Sequence, residues 1–312
     1  MQNAALLEEA SPLVSIARDL LVRQPGDRIP TVLEYQDRLG IGSGTVQARL
    51  RALVETGAIE LRARGHQGTI LLARNLSDLW TLAHLNPVSG VLPLPEALEP
   101  ASLAAVLRRA FQKLRIPLEL LYLHGSAKRM GLVRQGAAHF TVLSRPAAEQ
   151  STREDAERWL IRDFGPESYH REDSMVVLLG PRAAAERRVV KVGIDPDSHD
   201  HSLLTRLEFP TERGYVHLPH AHARLPAAVS EGLIDAAVWL RATLAIPLSS
   251  VGIVVRPLET PEAVRANKGL GHAVLIARTE NPEVSSILRE VDVSGAWSVQ
   301  EEILKSDVLP LY

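Results

Sequence analysis

Apolar residues in the first quarter of the chain recur at three- and four-residue steps, and that spacing predicts three short helices. Across residues 12–23 they fall at Leu13, Ile16, Ala17, Leu20 and Leu21, one face of a 3.6-residue period. Ser11 suits an N-cap and Pro12 the first helical position, and Pro25-Gly26 ends the segment. Thr31 predicts the cap of a second helix over residues 32–39, with Glu34 in its first turn and Gly40 as a left-handed terminator. A third helix is expected from Ser43 or Gly44 to about Thr56, burying Val46, Leu50, Leu53 and Val54 and stopped by Gly57. Residues 58–63 and 69–73 then read as strands joined by the glycine-bounded tip RGHQG. Together these elements predict a winged helix-turn-helix.

Residues 74–87 read as a linker, broken at Asn86-Pro87. From Val88 short apolar runs alternate with amphipathic stretches. Strands are expected at 89–92, 118–123, 140–143, 175–179, 189–194, 215–217, 236–239, 251–255 and 272–277. Helices are expected at 101–113, 127–134, 147–164, 202–206, 223–230 and 283–290, with a closing helix at 297–305. The alternation predicts an α/β domain with parallel sheets covered on both faces. The expected division is 1–74 for the winged helix and 75–312 for the larger domain. One internal echo points to two lobes. Leu132-Val133-Arg134-Gln135-Gly136 before His139-Phe140-Thr141-Val142 parallels Ala228-Val229-Ser230-Glu231-Gly232 before Asp235-Ala236-Ala237-Val238. Each reads as a helix, a terminating glycine and a buried strand.

Composition narrows the chemistry. The 312 residues suffice for two or three domains. A formal net charge of −2 gives no bulk sign of a nucleic-acid partner, so DNA binding has to come from a local patch. Residues 41–66 supply one, with four Arg against two Glu. Cysteine is absent, which excludes disulfides, thiolate zinc sites and thiol catalysis. Neither a secretory leader nor an apolar run of membrane-spanning length is apparent, so a cytoplasmic location is expected. Phosphate-loop and nucleophile-elbow signatures are missing, and none of the five lysines has a pyridoxal-phosphate context. No catalytic residue, cofactor or metal is expected.

Ile29-Pro30, Leu39-Gly40-Ile41, Thr45-Val46, Leu50, Leu53, Gly57-Ala58-Ile59 and the wing RGHQGTI match the anchors of the GntR family at their spacing. The N-terminal segment resembles that family's winged helix, which implies binding to double-stranded DNA. Ser43 and Gln47 stand where the family usually has arginine, so its target sequence does not carry over. Beyond the wing, GHQGTILLARN, SGVLPLP, HGSAKRM and FTVLSRPAAE resemble the YhfZ group of regulators. That resemblance implies a GntR-like winged helix fused to a two-lobed domain of the type 2 periplasmic-binding fold, with a ligand held between the lobes.

The candidate DNA-binding residues are Ser43, Thr45, Gln47, Arg49 and Arg51 on the third helix and Arg62, Arg64 and His66 at the wing. Hydroxyls and amides at a helix start suit phosphate, Gln47 suits a base edge, and arginines suit phosphate or the minor groove. A homodimer is expected, because one winged helix covers too few base pairs for good specificity.

In doubly wound sheets, ligands meet the loops at the carboxyl ends of strands. Those loops nominate Pro93, His124, Gly125, Ser126, Arg129, Ser144, Arg145, Asp195 and Ser198 for a small, anionic effector. Anion binding at HGSAKR stands beside ordinary capping by Ser126 with solvated Lys128 and Arg129. His199, His201, His217, His220 and His222, with Asp195, Asp197 and Asp200 nearby, have spacings compatible with a metal, but also with a solvated loop. Trp239 suits either a ligand stack or the core. Two rival functions stay open. One is an enzyme using Asp195, His199 and His201 as acid–base groups; the other is a constitutive DNA-binding dimer without effector.

Overall fold

The structure is a computed structural model that describes residues 11–95, 97–172, 174–241 and 248–306. The first ten residues, where a leader was sought, lie outside them. The helices α1 (Pro12–Val22), α2 (Val32–Leu39) and α3 (Ser43–Glu55) precede strands β1 (Ile59–Ala63) and β2 (Thr69–Arg74). α2 begins in a capping box: the Thr31 side chain accepts the Glu34 amide, and the Glu34 carboxylate accepts the Thr31 amide. Gly40, in the left-handed region, ends it.

α1 and α2 are pinned together by Asp19. Its carboxylate accepts hydrogen bonds from Arg23 Nε at 2.8 Å, Tyr35 Oη at 2.7 Å and Arg38 at 3.0 Å. Burial pushes the Asp19 carboxyl up, but hydrogen bonds from Arg23 and Tyr35 and the neighbouring positive charges outweigh it and hold the group below the ordinary aspartate value. α3 buries a narrower stripe than its sequence suggests. Val46 and Leu53 are covered, Leu50 is half-buried, and Val54 is 43% exposed. β1 and β2 pair antiparallel from Ile59↔Arg74 to Ala63↔Thr69, and Gly65 and Gly68 turn the tip at positive φ.

The expected linker contains a helix, α4 (Leu76–Leu82). Asn75 caps it by accepting the Asp78 amide, and Leu79 and Trp80 are buried. An apolar face of only two residues is too short to register as a period.

The remaining elements are β3 (Val88–Leu92), α5 (Leu98–Leu114), β4 (Leu118–Tyr122), α6 (Ser126–Arg134), β5 (Phe140–Ser144), α7 (Arg145–Thr152), β6 (Trp159–Asp163), β7 (Met175–Leu179), α8 (Pro181–Glu186), β8 (Lys191–Ile194), α9 (His199–Glu208), β9 (Val216–Pro219), α10 (Leu225–Ser230), β10 (Ala236–Leu240), β11 (Val254–Pro257), α11 (Pro261–Gly269), β12 (Ala273–Arg278), α12 (Pro282–Glu290) and α13 (Ala296–Ser306). They build two five-stranded sheets with the same layout, β4-β3-β5-β12-β6 and β9-β8-β10-β7-β11. β3 and β5 run parallel, as do β9, β8 and β10. β12 is antiparallel to both of its neighbours, and so is β7. The sheets are therefore mixed rather than parallel throughout. The chain passes from the first lobe to the second between β6 and β7 and returns between β11 and β12. This is the two-lobed periplasmic-binding-like layout.

β6 replaces the second half of the helix expected over 147–164. Trp159 to Asp163 pair in register with Arg278 to Val274, so the ladder to β12 takes backbone bonds that a helix would have kept local. α8 and α11 were not legible as periods.

The sequence echo corresponds to equivalent positions in the two lobes. After α6, Gly136 (φ +72°) donates to Val133 O and Ala137 to Leu132 O. After α10, Gly232 (φ +72°) donates to Val229 O and Leu233 to Ala228 O. Each αL turn leads into the central strand of its sheet, β5 or β10.

The chain packs as two units. One comprises residues up to Val88 with Ala110–Glu119 and Glu280–Val291; the other holds the rest of both lobes. Within the first, α12 lies on α1. Arg74, its side chain 4% exposed, donates to Leu21 O, to Ser286 Oγ at 3.1 Å and to Glu290 Oε1 at 3.2 Å.

Candidate functional site

On the winged helix, all eight nominated residues are exposed: Ser43, Thr45, Gln47, Arg49, Arg51, Arg62, Arg64 and His66. At 100° per residue, Ser43, Gln47 and Arg51 form one row along α3, and Thr45 and Arg49 form another. Between the rows lie Gly44 and Ala48, small and exposed. Small residues there let the helix axis approach a surface closely while polar side chains reach out on both flanks. Sequence reading overlooked that pair, although their size was the available signal.

The second site is a cavity of about 70 Å³ at the carboxyl ends of the strands, between the two lobes. It has room for a few waters or a very small ligand. Pro93 follows β3; His124, Gly125 and Ser126 follow β4; Ser198 follows β8; and Arg129 comes from α6. The lining also includes Tyr169, His170, Asp200, His201 and His222. Of the nominated ligand residues, Ser144, Arg145 and Asp195 do not line it. Ser144 Oγ donates to Asp200 Oδ1 at 2.7 Å behind the wall, and Asp195 lies beneath His124. Arg145 pairs instead with Asp163 at the surface.

The lobes meet through the start of α6 and the loop that enters α9. Ala127 N donates to Asp197 O at 3.1 Å, His199 N to Ser126 Oγ at 3.0 Å, and Lys128 Nζ lies 2.7 Å from Asp197. Gly125 permits this approach. At φ +92°, a Cβ there would stand 3.0 Å from Asp197 Cβ and 3.1 Å from its carbonyl oxygen.

The cations expected to be free for an anion are held in place by the protein. Arg129 donates to Leu123 O, Val142 O and Tyr169 Oη, and Lys128 is paired with Asp197. Both cations of HGSAKR are thus engaged by protein groups, and Ser126 takes the His199 amide rather than capping α6. For Asp195, burial pushes the carboxyl up, yet hydrogen bonds from His124 and the Asp197 amide hold it below its ordinary value. His201 accepts the Asp195 amide at Nδ1 and donates from Nε2 to Val238 O, a pattern satisfied by the neutral ring. Burial pushes His201 down to about 4. Burial and the neighbouring His124 and His201 push His222 down to about 3.

Trp239, His222 and His124 form a column of rings, with centroids 4.2 Å apart at 7° for the first pair and 4.5 Å apart at 19° for the second. The histidine run flagged in the sequence does not converge. His217 Nε2 donates to Phe209 O and His220 lies near Leu218 O, while of the five only His201 and His222 reach the cavity. Tyr169 and His170 escaped sequence reading because they reach the cavity from the connection between the lobes, whereas the sequence marks Asp200 only as a possible partner of the histidines.

Residues 75–312 match the YhfZ C-terminal domain. The chain belongs to that family. Residues 24–71 match a helix-turn-helix domain. The YhfZ protein of Escherichia coli (strain K12) is 27% identical over 317 residues, covering all of both chains. The crystal structure of YhfZ from Shigella flexneri superposes with a TM-score of 0.56 at 21% identity, covering 76% of this chain and 97% of that one. The helix-turn-helix fused to the YhfZ C-terminal domain points to a DNA-binding transcriptional regulator. Among the described residues no helix is long and apolar enough to cross a membrane.

Proposed function

We propose that this YhfZ-family chain is a ligand-responsive, non-enzymatic transcription regulator that acts as a homodimer in the cytoplasm. The observation that carries the reading is the pairing of an exposed, arginine-flanked α3 and wing with a separate cavity between two lobes. α3 reads the major groove, and Arg62, Arg64 and His66 brace the wing against the backbone or minor groove. A small ligand that occupies the cavity favours the closed lobes by its differential affinity for the two states. The chain itself supplies a connection for that change. It leaves the first lobe's sheet at β12 and runs directly into α12, whose Ser286 and Glu290 hold Arg74 at the end of the wing strand β2.

Thermal-shift screening of the full chain against small acids, sugar phosphates and metal ions, followed by a turnover assay on each hit, tests the reading. A compound that stabilises the protein without being consumed and changes its affinity for DNA is the expected result. Consumption of the compound would make the chain an enzyme. The absence of any stabilising compound would leave a constitutive DNA-binding dimer.

A further inference from the structure

We infer that His124, Asp195 and His222 form a site for a divalent transition-metal ion that bridges the two lobes. This deepens the ligand half of the proposed function and rests on that reading only for its regulatory consequence. One ligand atom from each of the three residues lies within 4.8 Å of the others. His124 Nε2 and Asp195 Oδ2 are 2.9 Å apart. Two donors bound to one ion at the usual zinc distances stand about 2.9–3.5 Å apart, so this hydrogen bond already has the spacing of a coordinated pair. His222 is 8% exposed, lines the cavity, and its Nδ1 has no partner. A buried imidazole nitrogen without a partner is costly unless something binds there.

The donor set also selects the ion. Two imidazoles and one carboxylate suit zinc, nickel, cobalt or copper rather than magnesium or calcium. Asp195 brings a carboxylate to the donor set, and Lys128 is paired with Asp197 rather than turned toward it, which favours a cation over an anion. His201 serves as a positioning residue, since its ring accepts the Asp195 amide and is itself fixed on Val238 O. In the structure the His124 and His222 rings are stacked at 19°, and an ion in both ring planes requires one ring to turn. His124 can do so, because its side chain is 36% exposed and held by one hydrogen bond. His124 follows β4 in one lobe, whereas Asp195 and His222 belong to the other. Coordination would therefore hold the lobes closed.

The test is a titration of untagged, chelator-stripped full-length protein with cobalt(II), read by visible absorption, and with zinc(II), read by competition with a chromophoric chelator. Saturation at one ion per chain is expected. His124→Ala and Asp195→Asn should each weaken affinity by more than the roughly 10–100-fold that loss of an outer partner costs. His220→Ala should leave it unchanged. His124 is partly exposed and lines a cavity, so its alanine variant keeps the core intact, and unchanged near-UV circular dichroism would verify that. The inference is overturned if binding is not saturable, if it survives both variants, or if only His220→Ala removes it. A parallel measurement of affinity for a selected DNA duplex separates the two claims. Metal bound at these residues with no effect on the duplex keeps the site and removes its regulatory role. No metal binding, with DNA affinity altered by another compound, removes the site and keeps the sensor.

Discussion

Lowering the pH from 6.5 to 5 should destabilise the lobes through two named histidines. His201 and His222 titrate near 6.5 when unfolded but are held at about 4 and about 3 in the fold. Between those values the unfolded chain carries two protons that the folded chain lacks, so stability falls as pH falls. Each such proton contributes about 1.4 kcal/mol per pH unit. Allowing for partial protonation at the upper end, the pair costs about 3 kcal/mol by pH 5, a sizeable part of a domain's total. The neighbouring Asp195 does not reverse the sign, since its carboxyl is depressed and its contribution is lost only below about 3.8. Urea unfolding at several pH values, comparing the parent with His201→Gln and His222→Gln, isolates the effect from other titrating groups. Each variant should flatten the stability profile by about 1 kcal/mol per unit on average between pH 6.5 and 5. Profiles of unchanged slope in both variants would refute the assignment of buried neutral rings.

Other consequences follow from single side chains. Asp19→Ala should cost about 2–3 kcal/mol in the winged helix, since it strands the buried Tyr35 hydroxyl and unties Arg38; thermal melting would measure it. Gly125→Ala should prop the lobes apart, because its Cβ meets Asp197, and a larger radius of gyration in solution scattering would register this. Gln47→Ala should relax sequence preference in DNA binding, whereas Arg49→Ala should weaken all sequences alike and reduce the salt dependence; competition binding against mismatched duplexes distinguishes them.

The winged helix was legible in the sequence because its signals are local. Thr31 with Glu34, Gly40, and the glycines of the wing each settle a turn or cap within a few residues. The two-lobe layout was legible for the same reason, through the matched turns at Gly136 and Gly232. What escaped depends on distant pairing. β6 became a strand because β12, more than a hundred residues later, takes its backbone bonds. His222 and His124 meet across lobes with no spacing to announce it. Arg129 and Arg145 read as free cations, yet one is engaged by backbone carbonyls and Tyr169 and the other by Asp163. Local sequence places a side chain on an element but not opposite its eventual partner.

The account depends most on α3 entering duplex DNA. Selection of bound duplexes from a randomised pool by the full-length chain, followed by footprinting of the enriched sequence, tests this directly. Enrichment of a two-fold symmetric site, with major-groove protection lost in the Gln47→Ala/Arg49→Ala double variant, is the result predicted. A pool that emerges as random as it entered, or a footprint indifferent to those two residues, would contradict it.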